Sequence, residues 1–161
     1  MQILKAMLHQ ELLEHFYHCL KTKNAEGMIS FYHDDIEFTD PAFGTLKGIE
    51  AKSMWHMLIS KGKNLEIDYS NISADAEKGK GHWTATYTFS KTNRNVINKI
   101  MSSFEFKDEK IIRHTDTFDL QIWAKQALGF KSNILYSLGI LQSSIQRKSK
   151  EALHLYIEQN K

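Results

Sequence analysis

In the segment KIIRHTDTFD, His114 and Asp116 share the alternation of Ile112 and Phe118. Alternate residues of an extended chain face one side, so an imidazole and a carboxylate fall on the side that the apolar residues mark as interior. Asn98 in VINKIMSSFEF shares a face with Val96, Ile100, Phe104 and Phe106, and Asp40 follows Ile36 and Phe38 in IEFTD. Burying a carboxylate without a partner is costly, so these groups must satisfy one another or face a cavity. A carboxylate in an apolar cavity suits proton abstraction beside a carbonyl, because desolvation moves its pKa toward neutrality. On that reading Asp116 is the general base, and His114 is its orienting partner or a proton carrier. Asn98 or Tyr87 donates to the developing oxyanion, and Asp40 is a second acid/base. Trp83 and Tyr87, on one strand, could line either core or pocket, and with Asn98 and Phe118 they form the candidate ligand-binding set. Two bland readings stand beside this one. A buried His–Asp pair also fixes register, and Asp40 also caps the following turn through an Asx bond. A slip of one residue would turn His114 and Asp116 outward.

These residues need elements to hold them. Residues 3–22 carry Ile3, Met7, Leu8, Leu12, Phe16, Cys19 and Leu20 at helical spacing. Asn24 is a good N-cap for a short helix over 25–33. IEFTD (36–40) alternates like a strand, 41–48 reads as a turn-rich loop, and 49–61 is a helix ended by Gly62. From residue 64 the period changes to two, and LEIDYSNIS, GHWTATYTF, VINKIMSSFEF and KIIRHTDTFD form four strands in succession. The polar links 90–95 and 107–110 have hairpin length, which predicts antiparallel pairing. A helix over 119–128 closes at Gly129, and one longer helix follows from Ser132 to Gln159. Segregated helices and strands predict an α+β fold, a curved antiparallel sheet with helices on one face and a pocket for a small ligand at its open end. Trp55 and Trp123 lie on helices and read as core. His9, His15, His18 and His33 read as surface or rim residues.

Composition narrows the classes. The chain has 161 residues, 42% apolar and 25% charged, with a net charge of +2. That is one domain's length, and a charge so close to balance argues against nucleic acid as the partner. One cysteine, Cys19, allows no internal disulfide and no Cys-rich zinc site. No uncharged apolar run reaches 18 residues, so no membrane span is expected. No signal peptide is read at the N-terminus, and the expected location is cytoplasmic. No phosphate loop and no three-ligand metal spacing is seen, so no metal and no cofactor is expected. The basic run Lys131, Arg147, Lys148, Lys150 and Lys161 faces only Glu151 and Glu158, and reads as a solvated helix face.

The run from Trp83 to Gly129, with HTDTFDLQIW leading into QALG, resembles the SnoaL-like branch of the nuclear transport factor 2-like superfamily. FTDPAFGTLKG (38–48) resembles that branch's strand and turn after the second helix. The resemblance implies a single domain over 1–161, with 130–161 a helical C-terminal extension. It implies a cone-shaped, strongly curved antiparallel sheet wrapped over helices. Members include ketosteroid isomerases, polyketide cyclases, epoxide hydrolases, dehydratases and proteins that only bind, and they commonly dimerise through the sheet's outer face. The cyclases' proposed acid/base aspartate, two residues after a histidine, matches Asp116 after His114. The isomerases' base has its nearest match in Asp40, but their oxyanion pair of tyrosine and protonated aspartate has no counterpart here. The hydrolases' Asp–Arg–Asp set could be imitated by Asp40, Arg113 and Asp116, except that Arg113 has the opposite parity. The expected function is the binding of a small hydrophobic molecule by a homodimer, as an isomerase, cyclase or hydrolase needing no cofactor. The alternative is a non-catalytic ligand-binding or protein-interaction module.

Overall fold

The computed structural model describes residues 1–161. Helix α1 (Gln2–Lys21) comes first, then α2 (Ala25–Ser30), strand β1 (Tyr32–Asp40), β2 (Gly44–Lys47) and α3 (Ile49–Lys61). Four strands follow: β3 (Lys63–Ala74), β4 (Lys78–Phe89), β5 (Arg94–Lys107) and β6 (Lys110–Thr117). Helices α4 (Leu120–Leu128), α5 (Phe130–Ser137) and α6 (Leu141–Gln159) end the chain. The fold is α+β, with one six-stranded sheet in the order β2-β1-β6-β5-β4-β3.

The hairpins form as their turns dictate. Asp108 and Glu109, both at positive φ (50° and 59°), make the two-residue link between β5 and β6, the backbone that matches strand twist in tight hairpins. The sheet is not purely antiparallel as expected, because β1 runs parallel to β6. Its curvature is also milder than the strongly curved cone expected. Residues 41–48 are not all loop, since β2 pairs back on β1 with Phe38 opposite Leu46. Beyond the end of β6, the side-chain amide of Gln126 covers the open edge of β5 by bonding the Ile97 N–H and C=O at 2.7 and 3.1 Å, which leaves no bare edge there.

Helix α1 lies on the sheet where β4 has no side chains to resist it. A Cβ on Gly79 would stand 2.5 Å from Leu13, and one on Gly81 would stand 2.6 Å from Tyr17. The buried stripe of α1 is His9, Leu13, Phe16, Tyr17 and Leu20. This corrects the expected stripe: Ile3, Met7 and Leu8 are exposed. His9 is not a surface residue but is stacked on Phe106 at 3.9 Å, with Nδ1 against the Asp75 carbonyl.

The expected helix from Ser132 to Gln159 is broken in two. Gly139 takes φ +69°, the Ile140 N–H bonds the Leu135 carbonyl and the Gly139 N–H bonds that of Tyr136. This pair of bonds is a Schellman stop, which needs a residue free to adopt positive φ. The break lets α6 pack across α3 and bury Leu153 in the main core. No helix is long and apolar enough to cross a membrane.

Candidate functional site

Strand β6 turns His114 and Asp116 inward, 1% and 3% exposed. The parity reading holds from His114 onward, but an irregularity in the β5–β6 register makes Ile111 the fully buried isoleucine, while Ile112 is only partly buried. Register explains the neighbours. Phe38 of β1 and Phe104 of β5 flank His114, and Ser102 of β5 stands opposite Asp116. The imidazole is boxed by aromatic rings, with Phe104 at 4.4 Å, Phe38 at 5.1 Å and Trp55 stacked nearly parallel at 5.9 Å.

A hydrogen-bonded chain runs through this box. Trp55 Nε1–H donates to the Tyr32 hydroxyl at 2.7 Å, and that hydroxyl meets His114 Nδ1 at 2.7 Å. His114 Nε2 meets Asp116 Oδ1 at 2.8 Å. Ser102 Oγ accepts from Trp83 Nε1 at 3.1 Å and donates to the same Oδ1 at 2.5 Å. The donor inventory orders the protons. In the tautomer with its hydrogen on Nε2, His114 donates to Asp116 and its Nδ1 accepts from the Tyr32 hydroxyl, whose oxygen in turn accepts from Trp55. Every member is then satisfied, as a buried polar network requires. Oδ2 of Asp116 takes no protein hydrogen bond, and Asp116 lines a cavity.

That cavity has a volume of about 620 Å³, within the range of small-molecule sites. Asp40, Tyr87, Asn98, Trp83 and Phe118 all line it with Asp116. His114 does not, and reaches the wall only through Asp116. Asn98 makes no side-chain hydrogen bond, so its amide is free to meet a ligand. Tyr87 accepts from Trp123 Nε1 at 2.7 Å and keeps its own proton available. Burial raises the Tyr87 pKa, the Trp123 bond opposes this, and the Asp40 charge adds to it.

Asp40 caps the turn and also faces the cavity. Its Oδ1 accepts from the Phe43 N–H at 2.6 Å, the expected Asx bond, and it also lines the cavity. Burial pushes its pKa up to about 7; the N–H groups of Phe43 and Ala42 hold it down, and the charge of Asp116 lifts it. Two carboxylates thus share one apolar chamber. Arg113 is exposed on the opposite face, paired with Glu105 at 2.6 Å, so no Asp–Arg–Asp set forms.

Several functional neighbours escaped the sequence reading. Tyr32 was hidden by the helix expected over 25–33, whereas α2 ends at Ser30 and Tyr32 opens β1. Ser102 has the parity of Ile100 and Phe104, a signal that was legible. Trp55 is core as expected, yet it also donates to Tyr32, and Trp123 is partly buried against the cavity rather than simply core. The C-terminal helices contribute to the cavity through Leu135, Ile145 and Ala152.

Solved structures resemble this fold at low sequence identity. A candidate polyketide cyclase from Xanthomonas campestris pv. campestris aligns with TM-score 0.65 and 14% identity, covering 76% of this chain and 98% of that one. An LEH-like epoxide hydrolase of M. tuberculosis aligns at 0.62 with 17% identity, covering 83% and 98%. A hypothetical protein of Catenulispora acidiphila DSM 44928, with a ketosteroid isomerase-like fold and in complex with trimethylamine, aligns at 0.62 with 13% identity, covering 73% and 92%. No curated protein matches the sequence. The family model of the SnoaL-like domain matches residues 13–114, a span that includes Asp40 and His114 and stops short of Asp116. With that match over more than half its length, the chain belongs to the SnoaL-like domain family.

Proposed function

We propose that this protein binds a small, mostly apolar carbonyl compound in the cavity and moves a proton on it, with Asp116 as base and Asp40 as acid. One observation carries the reading. Asp116 is held rigidly from behind by His114 and Ser102 while its Oδ2 is left to the cavity. Asp40, in the same chamber, holds its proton to near neutral pH. Carboxylates with divided environments are the usual arrangement for paired acid and base work. His114 is then a positioning residue, since it fixes the carboxylate through Nε2 and lies behind the wall. The Asn98 amide and the Tyr87 hydroxyl donate to the substrate oxygen, and Trp83 and Phe118 pack against its body. The small-molecule complex of the Catenulispora neighbour is in keeping with a ligand role for the fold.

The test is hydrogen–deuterium exchange at the acidic methylene of 2-tetralone, followed by NMR. Wild type accelerates exchange and Asp116→Asn loses about 100-fold or more, the usual scale of general base catalysis. His114→Gln is expected to shift the pH profile of exchange rather than to abolish it. Full exchange by Asp116→Asn would reject the assignment. Binding of 2-tetralone without exchange selects the second reading, a non-catalytic binding module. The completeness of the buried network favours that reading, because a satisfied polar cluster also serves register alone. The chain is further proposed to form a homodimer through the outer face of β4 and β5, where Ile97 and Met101 are 52% and 58% exposed. Light scattering showing only monomer would remove that claim.

A further inference from the structure

Five exposed lysines are among the residues lining the cavity, and they come from separate parts of the chain. Lys61 and Lys63 flank the junction of α3 and β3, Lys91 lies in the β4–β5 turn, Lys131 is on α5 and Lys148 is on α6. All five are exposed, and none forms an ion pair. Lys61 sits over the Tyr156 ring at 5.4 Å and Lys63 donates to Asn93 at 3.0 Å, whereas Lys91, Lys131 and Lys148 have no side-chain partner. The only carboxylates lining the cavity are Asp40 and Asp116, and both are less exposed than the lysines. A protein of net charge +2 thus gathers five unpaired cations around one cavity. Like charges brought together without counter-charges repel, and a mouth of one sign over low-dielectric walls focuses its field on the opening.

We propose that the cavity takes an amphipathic organic anion, with its apolar body inside, its anionic end among the lysines and its uncharged end against Asp116 and Asp40. The proposal rests on the cavity being a ligand site, and it adds the ligand's charge and direction. An anion entering head first would meet two carboxylates. One entering tail first leaves its charge among the lysines and its apolar skeleton against Trp83 and Phe118. The reacting carbon therefore lies at the end of the molecule remote from the anion.

A matched pair of fluorescent probes separates charge from shape. They are 8-anilinonaphthalene-1-sulfonate and N-phenyl-1-naphthylamine, the same ring skeleton with and without the sulfonate. In low salt the sulfonate binds about tenfold tighter than the neutral probe, is displaced by it, and loses that advantage as sodium chloride rises to 0.5 M, a concentration at which exposed charges are largely screened (about 0.5 M). The triple variant Lys91→Gln, Lys131→Gln, Lys148→Gln weakens the sulfonate about five- to tenfold and the neutral probe by less than about twofold. Equal affinities, sulfonate that the neutral probe does not displace, or a triple variant without effect would overturn the proposal. If only the neutral probe binds, the cavity remains a ligand site and the anion assignment fails alone. If neither binds, both readings fail.

Discussion

Asp116 and Asp40 are the same side chain in one chamber, and their surroundings make them different groups. Asp116 receives an imidazole N–H and a serine hydroxyl on one oxygen, and it sits in a shell of aromatic rings. Asp40 has the backbone N–H groups of Phe43 and Ala42 at the end of an edge hairpin and otherwise suffers burial without a cation, beside a second carboxylate. The first is a carboxyl group tied into a hydrogen-bonded network. The second is a charge that the fold resists. Burial alone therefore does not define a reactive acid; what matters is the kind of donors and the charges that the burial brings with it.

Removing the networked carboxyl should have the largest effect. Asp116→Ala strips His114 Nε2 and Ser102 of their shared acceptor, and each buried donor left unpaired costs about 1–3 kcal/mol. Urea unfolding measures it, and a loss under about 1 kcal/mol would show that the network is not the tight unit described.

Asp40→Asn should act with the opposite sign. A carboxyl whose folded pKa is about 7, above its ordinary 3.8, binds a proton more tightly in the native state. Its stabilising contribution is complete below pH 3.8 and is lost as pH rises toward 7. The slope across that window approaches about 1.4 kcal/mol per pH unit. Asn keeps an oxygen for the Phe43 N–H and carries no charge, so at pH 8 the variant is more stable than wild type, by about 2 kcal/mol or more. Comparing urea midpoints of the two proteins from pH 4 to 8 isolates this residue from every other titrating group. Parallel curves would mean that burial does not raise the Asp40 pKa.

Ser102→Ala removes one of the two donors to Asp116 and leaves Trp83 Nε1 without its acceptor. A cost of about 1–3 kcal/mol is expected, smaller than for Asp116→Ala because the imidazole bond remains. The smallest effect concerns Tyr17, whose buried hydroxyl has no partner. Tyr17→Phe deletes an unsatisfied group while keeping the ring against Gly81, so stability should hold or rise, by about 1 kcal/mol. A marked loss on thermal unfolding would mean that the hydroxyl is paired in solution.

Which parts of this were legible in the sequence follows from the range of each interaction. Alternation is local, so the inward turn of His114, Asp116, Asn98 and Asp40 could be read from spacing. Irregular register is not local, and the shift near Ile111 and Ile112 depends on two partner strands. The helix break at Gly139 has a local signal, a glycine with apolar residues around it, but the apolar spacing continues beyond it and masks the stop. Tyr32 lies at a boundary where a helix end and a strand start compete within a few residues, so its place in the network has no local signal.

The chain's own order of residues determined the α+β class, the inward dyad on the last strand and the apolar character of the space it faces. These depend on periodicity, which is set by the backbone geometry of each element. Only the tertiary structure decided that Trp55, Tyr32 and Ser102 would complete the dyad's hydrogen bonds, that Asp40 would share its chamber, and that lysines from separate segments would meet around one cavity. Those are contacts between residues as far apart in the chain as 82 positions for Tyr32 and His114. No local pattern specifies such contacts, because they exist only once the sheet has paired and the helices have closed over it.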